Sequence, residues 1–201
     1  MKASAKAYPI QGLIKYHGLR DEVLRLPYHD SISVATSPTE SHTTIEFGGF
    51  GKDSAQLDSR ELQGRELERV AAVVDEVRRR AGSDARFRMV SKNNFPSNVG
   101  LGSSASGFAA LALASSEALG LCLTLEQVSM IARRGAGSAT RSVTGGFSRW
   151  KAGHDDEESY SFQIASEEFE MGIVVALVPA FKYTESAHKA VLGSPFFHSR
   201  L

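Results

Sequence analysis

The segment PSNVGLGSSAS, which ends at Ser106, has the composition of a loop that can bind phosphate. Gly100 and Gly102 allow the backbone to curl tightly, and Ser103, Ser104 and Ser106 carry hydroxyls that can reach phosphate oxygens or Mg²⁺. An alanine-rich helical segment follows at once, so its free N–H groups and partial positive charge would face the curled loop. The spacing alone leaves two interpretations open, a phosphate-binding loop or an ordinary helix N-cap rich in serine.

Other residue patterns are less informative. The loop lacks the GxxxxGK[ST] pattern of a P-loop and the GxGxxG pattern of a dinucleotide-binding fold.

The six histidines show no spacing typical of a metal site. His17 and His29 are the two that we consider for substrate contact, with simple packing as the alternative, and Asp30 is either an acid near a site or the cap of a turn. The single Cys122 lies in an apolar stretch, which predicts a buried structural thiol.

The composition argues against several classes of partner. The 201-residue chain has 23 Lys plus Arg and 23 Asp plus Glu, so no general charge favours nucleic acid or an anionic membrane. The N-terminal residues have no apolar signal-peptide core, and no stretch has the length of a membrane span. One cysteine cannot form an internal disulfide, which fits a reducing compartment. We therefore expect a cytoplasmic protein that binds neither nucleic acid nor membrane.

Hydrophobic periodicity predicts the elements that position these residues. The predicted elements are an extended segment at 3–16, strands at 31–36, 43–49, 85–91, 147–152, 160–165 and 172–178, helices at about 60–81, 104–119 and 125–134, and a helix that starts near Thr184. Helices and strands mix without a regular alternation, which predicts the α+β class rather than a doubly wound parallel sheet.

The glycine- and serine-rich segment resembles the phosphate-binding motif PxxxGLGSSA of the GHMP kinases, the superfamily of galactokinase, homoserine kinase, mevalonate kinase and phosphomevalonate kinase. The resemblance implies that ATP and Mg²⁺ are cofactors and that Ser104 contacts the metal. It also implies an N-terminal domain similar to ribosomal protein S5 domain 2, at 1–168, and the start of a ferredoxin-like C-terminal domain, at 169–201. The residues implied to bind ATP or Mg²⁺ are Asn94, Pro96, Gly100, Gly102, Ser103, Ser104, Ala105 and Ser106.

Two further segments resemble the mevalonate diphosphate decarboxylases. LIKYHGLRDEVLRLPYHDSISV, at 13–34, is similar to their N-terminal signature IKYWGKRD…LP…SSISV, and GAGSATRSVTGGFSRW, at 135–150, resembles GSGSACRSLxGGFxxW. With GSPFF at 193–197, these motifs follow the family's order and cover essentially the whole chain. The resemblance implies an enzyme that phosphorylates a tertiary 3-hydroxyl with ATP and then releases phosphate and CO₂ to leave an alkene.

The resemblance implies catalytic roles for Lys15 and Arg141, because fixed cations must hold an anionic substrate and offset charge at the leaving phosphate. Arg141 would bind carboxylate or phosphate with two parallel hydrogen bonds, and Lys15 would act near the reacting hydroxyl. Without the motifs, a solvated lysine and a surface arginine are the alternative. The implied substrate-binding residues are Tyr16, His17, Ser138 and Thr184.

Departures from the family pattern concern the substrate. KYWGK of the diphosphate enzymes is KYHGL here, so His17 replaces Trp and Leu19 replaces a lysine that helps to neutralise the terminal phosphate. The segment AKAYPIQGLIKYHG is more similar to archaeal-type phosphomevalonate decarboxylases. We therefore expect a phosphorylated mevalonate as the small-molecule partner, with 5-phosphomevalonate as the substrate and isopentenyl phosphate as the product.

Several alternatives remain. The substrate could be 5-diphosphomevalonate, the enzyme could be a 3-kinase that stops after phosphoryl transfer, or the chain could be a nucleotide-binding remnant. The family's catalytic Asp lies beyond the segment that matches SPFF, and the sequence ends at Leu201. We therefore expect a truncated C-terminal domain that lacks this acid. The resemblance also implies a homodimer.

Overall fold

Strands and helices follow one another irregularly along the chain, and the computed structural model describes residues 1–97, 99–165, 171–176 and 190–199. The strands are β1 (Lys2–Ala7), β2 (Ile10–Ile14), β3 (Leu19–Asp21), β4 (Leu26–Pro27), β5 (Ser31–Ala35), β6 (Ser41–Gly48), β7 (Ser54–Leu57), β8 (Arg60–Glu61), β9 (Arg86–Asn93), β10 (Phe147–Trp150) and β11 (Ser161–Ala165). The helices are α1 (Arg65–Ala81), α2 (Ser103–Ala118), α3 (Leu125–Gly135) and α4 (Ala139–Thr144), and a helical turn covers Pro195–His198. The expected α+β class is confirmed.

Five strands form the first sheet, in the order β1-β6-β9-β7-β8. All neighbours are antiparallel except β7 and β9, which are parallel. Buried and more exposed side chains alternate along β6 and β9, as expected for strands with one face on a core. Ile45 and Phe47 of β6 and Phe87 and Met89 of β9 belong to the buried cluster. This sheet therefore forms the floor of the main core.

Helix α2 lies at the centre of the core. It packs against β1 and β6 on the sheet and against α1, α3 and α4. Its buried residues are mostly alanines, and Ala109, Ala110, Ala112 and Ala114 are all 0% exposed. Small side chains let the sheet and the other helices approach this helix closely, which fixes the position of its N-terminus and of the loop before it.

Four strands form the second sheet, in the order β11-β10-β5-β2. The pairing of β2 with β5 shifts between Gly12 and Ile14, as at a β-bulge. The hairpin β3–β4 follows closely after β2. The C-terminal segment lies against this hairpin, because the rings of Tyr28 and Phe197 are 5.7 Å apart with edge-to-face geometry.

Some predicted boundaries were wrong. The first helix begins at Arg65 rather than near residue 60, because Arg60–Glu61 pair as β8 and Gly64 adopts a φ of 50° that a continuous helix does not allow. Residues 171–176 form no strand, and 177–178 lie outside the described residues. The predicted domain boundary at 168 and the predicted helix near Thr184 also lie outside the described residues.

Cys122 is exposed, so the prediction of a buried thiol was wrong. It lies in the extended segment between α2 and α3, where Leu121 and Leu123 pack against the core. Alternate side chains of an extended chain point in opposite directions, so the residue between these two leucines points to solvent. Among the residues that the structure describes, no helix has both the length and the apolar character needed to cross a membrane.

Candidate active site

Gly102 ends the glycine- and serine-rich loop, and helix α2 begins directly after it. Gly102 is the N-cap of α2 and has a left-handed backbone, with φ 82° and ψ 24°. A Cβ on this residue would lie 3.2 Å from the carbonyl oxygen of Ile10 and 3.2 Å from Pro9. Both features favour glycine here, since L side chains rarely adopt the left-handed conformation and a Cβ would crowd Ile10 and Pro9. The loop is thereby fixed against the first residue of β2.

The start of α2 presents free donors to this loop. The amides of Ala105 and Ser106 donate to the carbonyl of Gly102, at 2.9 and 3.3 Å. The amides of Ser103 and Ser104 have no acceptor within the described part of the chain, and no side chain caps the helix. Two free N–H groups and the positive end of a 16-residue helix dipole therefore face the loop. This arrangement can bind the phosphates of ATP.

The other residues implied to bind ATP differ in their surroundings. The Ser104 side chain is exposed, while Ala105 is buried and Pro96 is exposed at the loop's beginning. The Ser106 hydroxyl is buried and lies 2.6 Å from the Ser41 hydroxyl of β6. The Asn94 side chain donates to the carbonyl of Pro38 at 3.0 Å and accepts from the amide of Glu40 at 2.8 Å.

These contacts divide the implied ligands into two groups. Ser106 and Asn94 direct their polar groups into the protein, where they tie the loop to β6 and to the segment before it. Ser104 and the first amides of α2 remain available to a ligand.

Lys15 extends from the end of β2 back towards this loop. Its side chain lies over Gly12, with Cγ 2.8 Å and Cε 3.5 Å from the position of a Cβ on that glycine. Gly12 is two residues from Ile10, about 7 Å along a strand, and Ile10 contacts Gly102. The Lys15 side chain therefore folds back along β2, the strand whose first residue contacts the phosphate-binding loop.

Arg141 lies on α4 beneath two aromatic rings. Its guanidinium carbon is 5.8 Å from the centre of the Tyr16 ring and 5.9 Å from that of Trp150. The two rings meet edge to face at 4.8 Å. A Cβ on Gly137 would lie 2.8 Å from both the Tyr16 hydroxyl and Trp150. Glycine at 137 therefore allows the turn before α4 to approach Tyr16.

The Arg141 guanidinium is buried without a counter-ion in the described part of the chain. The residue is 2% exposed, and its Nε and Nη1 atoms have no hydrogen-bond partner. Burial lowers the pKa of Arg141 to about 10, and Tyr16 opposes this only in part. A buried guanidinium with unsatisfied donors is costly in the free protein, so the geometry favours an anionic ligand at this position.

Tyr16 connects the two halves of the site. Burial raises its pKa above the usual value of 10.0, and a hydrogen bond from the Ser138 backbone and the charges of three arginines act in the opposite direction. The hydroxyl is therefore neutral at physiological pH and can donate a hydrogen bond. Ser138 is the N-cap residue of α4, and its backbone forms a hydrogen bond with Tyr16.

His17 and His29 lie near Lys15. Burial lowers the pKa of His17, and the charges of His29 and Lys15 lower it further. His17 is therefore neutral at physiological pH. Asp30 has a structural role, since its carboxylate accepts from Arg149 Nε at 2.8 Å and from the Ala152 amide at 2.7 Å. Burial raises the pKa of Asp30, but these hydrogen bonds outweigh it and the net pKa is lowered.

The structure adds two arginines that the sequence patterns did not single out. Arg25 and Arg69 both contribute positive charge at Tyr16. Arg69 donates to the carbonyl of Gly135 through Nε at 3.0 Å and Nη2 at 2.7 Å, and its guanidinium lies over the Phe108 ring at 4.8 Å. No sequence signal marks Arg69, whereas Arg25 lies within the LRDEVLRLP segment.

Thr184, the remaining residue implied to bind substrate, lies outside the described residues. Among the residues that are described, no group of three or more His, Cys, Asp or Glu side chains could hold a metal ion. The exposed Ser104 hydroxyl is an oxygen ligand of the kind that Mg²⁺ prefers.

Comparison with known proteins places this geometry in a family. A family model for the diphosphomevalonate decarboxylase-like N-terminal domain matches residues 7–161. The phosphomevalonate decarboxylase of Haloferax volcanii is 52% identical over 203 residues, which cover 100% of this chain and 63% of that protein.

Solved structures agree. The mevalonate diphosphate decarboxylase from Enterococcus faecalis has a TM-score of 0.77 and 37% identity, over 82% of this chain and 52% of that one. A second structure, MDDEF in complex with MVAPP, AMPPCP and magnesium, has a TM-score of 0.77 and 37% identity, over 82% of this chain and 51% of that one. The chain thus spans less than two thirds of the length of each of these proteins. The family model and the identity along the whole chain show that it belongs to the diphosphomevalonate decarboxylase-like family of GHMP kinase fold.

Proposed function

We propose that this chain forms the nucleotide- and substrate-binding part of an enzyme that converts 5-phosphomevalonate and ATP to isopentenyl phosphate, CO₂, ADP and phosphate. The observation that carries the proposal is the buried Arg141 guanidinium, which has no counter-ion within the described residues and lies beside Tyr16. The similarity to the Haloferax volcanii phosphomevalonate decarboxylase along the whole chain supports it.

ATP fits the loop at the start of α2. The amides of Ser103 and Ser104 and the helix dipole would hold its phosphates, the Ser104 hydroxyl would contact Mg²⁺, and Gly100 and Gly102 provide the backbone conformations that the loop needs. Ala105 anchors the helix from the buried side. Bound ATP would supply the phosphoryl group for the substrate's 3-hydroxyl.

The substrate would lie between this loop and Arg141. Lys15 would hold negative charge near the reacting hydroxyl, because its side chain lies over Gly12 towards the loop. Arg141 would bind the carboxylate or a phosphate of the substrate in a site from which water is largely excluded. A fixed cation in such a site stabilises the charge that develops as phosphate leaves, and this favours loss of CO₂.

Hydrogen bonds would orient the substrate between these cations. The neutral Tyr16 hydroxyl can donate one, and the neutral His17 can donate or accept one according to its tautomer. Ser138, at the start of α4, would contribute a further hydrogen bond to the substrate. Thr184 is proposed as a further contact on the resemblance alone.

A second candidate substrate is 5-diphosphomevalonate, which the similarity to the Enterococcus faecalis mevalonate diphosphate decarboxylase favours. Leu19 argues against it, since the diphosphate enzymes resembled by this chain have a lysine at that position. The cytoplasmic location that the composition predicts and the homodimer that the resemblance implies also remain proposals.

The test is an assay of the full-length protein with ATP, Mg²⁺ and each of the two substrates, followed by mass spectrometry. We expect CO₂ and isopentenyl phosphate from 5-phosphomevalonate, and a much lower rate with 5-diphosphomevalonate. A stable 3-phosphorylated product would show a kinase instead, and nucleotide binding without turnover would show a binding protein. Lys15→Met serves as the inactive control.

A further inference from the structure

Arg25 occupies an unusual backbone position next to the site. It lies in the turn of the β3–β4 hairpin, immediately before Leu26, and has a φ of 55°. Non-glycine residues rarely adopt this left-handed conformation because Cβ approaches the carbonyl oxygen. Among the described residues, Asp58 is the other non-glycine residue with positive φ. A costly conformation of a long cationic residue at a site's edge indicates a function for its side chain.

Within the described residues, the Arg25 side chain also has no hydrogen-bond or ion-pair partner. Its Nε atom is buried and has no hydrogen-bond partner, and no ion pair joins Arg25 to a described residue. Two other arginines near this hairpin differ in this respect. Arg20 donates to the carbonyl of Gly153, and Arg149 pairs with Asp30. Arg25 is therefore not used to hold the hairpin together.

The charge of Arg25 acts on Tyr16, a residue of the candidate active site. Although burial raises the pKa of Tyr16, three arginines oppose this effect, and Arg25 opposes it more than Arg141 or Arg69 does. Burial lowers the pKa of Arg69, and Arg25 has the largest further effect in that direction. Three cations thus act on Tyr16, and in the described part of the chain none of them has a salt bridge to a carboxylate. An anion is needed to balance them.

The same hairpin carries Leu19, at the position where the resembled diphosphate enzymes have a lysine. Leu19 pairs with Pro27 across the hairpin, so Arg25 and Leu19 lie near each other in one small unit. We infer that Arg25 is a specificity-determining residue that binds the 5-phosphate of the substrate and replaces the cation absent at Leu19. This inference rests on the proposed function and names the residue that recognises the phosphate.

The test compares ligands that differ only in the phosphate. Binding of 5-phosphomevalonate and of mevalonate to the full-length protein is measured by isothermal titration calorimetry, in the native protein and in Arg25→Gln. We expect Arg25→Gln to weaken binding of 5-phosphomevalonate by about 10- to 100-fold, as for a charge-assisted hydrogen bond, and to leave mevalonate binding unchanged. Arg25→Lys should recover part of the affinity.

Arg20→Gln is the matched control, because it removes the same charge from the same hairpin but from a side chain that donates to Gly153. It should bind 5-phosphomevalonate as the native protein does. Equal losses for both ligands in Arg25→Gln, or equal losses in the two variants, would overturn the role of Arg25. If the native protein bound neither ligand, the proposed function itself would fail.

A second variant separates binding from folding. Arg25→Gly removes the side chain and suits a φ of 55°. It should unfold at a temperature equal to or above that of the native protein and bind 5-phosphomevalonate as weakly as Arg25→Gln. A lower unfolding temperature would show that Arg25 stabilises the hairpin and would contradict the inference.

Discussion

Two buried arginines on neighbouring helices differ in what surrounds them. Arg133 on α3 is 0% exposed and donates to the carbonyl of Ser159 at 2.5 Å and to the carboxylate of Asp156. Arg141 on α4 is 2% exposed, and among the described residues it has neither a carboxylate partner nor a hydrogen bond at Nε and Nη1. Arg133 therefore stabilises the loop between β10 and β11, whereas Arg141 is positioned for a ligand.

The two arginines should respond differently to removal of charge. Arg133→Met breaks a buried ion pair and should lower the free energy of unfolding by about 3 kcal/mol. Arg141→Met removes the unfavourable buried charge but also loses the contacts with Tyr16 and Trp150. Because these effects oppose each other, the free energy of unfolding should change by no more than about 1 kcal/mol. Urea denaturation measures both. A loss in Arg141→Met as large as that in Arg133→Met would contradict the ligand-binding interpretation.

Ser104 and Ser106 provide a second comparison, because both were expected to bind nucleotide. Ser106→Ala removes the hydrogen bond to Ser41 and should lower the free energy of unfolding by about 1 kcal/mol. Ser104→Ala should leave stability within about 0.5 kcal/mol and weaken Mg²⁺-dependent binding of AMPPCP roughly tenfold. Calorimetry with and without Mg²⁺ measures the second effect. Unchanged affinity in Ser104→Ala would remove Ser104 from the site.

At the scale of elements, the loop and α2 act as one unit. Gly102→Ala introduces a Cβ at a φ of 82° and 3.2 Å from Ile10. It should lower the free energy of unfolding by about 1–2 kcal/mol and weaken AMPPCP binding. Gly107→Ala is the control, since a Cβ there meets nothing within 4 Å, and it should raise stability by up to about 1 kcal/mol. Equal nucleotide affinity in both variants would argue against a tightly curled loop.

Helix α1 carries a pH-dependent ion-pair group. The Glu76 carboxylate accepts from Arg79 at 2.8 Å and from Arg80 at 2.7 Å. Burial raises the pKa of Glu76, but these hydrogen bonds outweigh it and lower the pKa to about 2. The folded pKa is below the value of 4.5 for an unperturbed glutamate. The group's stabilisation is therefore complete above pH 4.5 and is lost as the pH falls towards 2.

Glu76→Gln should consequently lower the free energy of unfolding by about 1–2 kcal/mol at pH 7. This value is smaller than the full effect of the pKa difference, because solvent screens the partly exposed ion pairs. The difference from the native protein should shrink as the pH falls from 4.5 and vanish near pH 2. Urea denaturation across this range measures it. Glu68→Gln, on an exposed part of the same helix, should show little difference at any pH.

The sequence predicts the elements whose signals are local. The capping box of Thr124 and Gln127 is present at the start of α3, and the amphipathic pattern of α1 correctly predicts its end at Gly82. The start of α1 was predicted too early, because Arg60 and Glu61 pair with Leu57 and Gln56 in a tight hairpin that helical periodicity does not reveal. Helix α4 has six residues in a glycine-rich stretch, and packing against α2 and α3 determines it rather than helical propensity.

At the scale of the whole molecule, the candidate site combines segments far apart in the sequence. β2, which precedes Lys15, and β10, which follows α4 and its Arg141, flank β5 in one sheet. The roles of Lys15 and Arg141 are implied by the motifs, whereas Arg25 and Arg69 could not be found in this way. Those charges act on Tyr16 because folding brings separate segments together, which a linear sequence does not show.

The unbalanced cations make one further prediction about the whole molecule. An anionic ligand that satisfies Arg141 should stabilise the fold, because it removes the cost of a buried unpaired charge. At a concentration 100 times its Kd, 5-phosphomevalonate should add about 2.7 kcal/mol to the free energy of unfolding. For a protein of this size, the midpoint of thermal unfolding should rise by about 5–10 °C.

Differential scanning calorimetry of the native protein and of Arg141→Met tests this effect. The native protein should show a midpoint that rises with ligand concentration, and Arg141→Met should show almost none at the same concentrations, because its buried charge is gone. Sodium chloride at equal ionic strength controls for screening, which acts on exposed charges and not on a side chain that is 2% exposed. An equal rise in both proteins would place the bound anion away from Arg141, and the cluster around Tyr16 would then need another explanation.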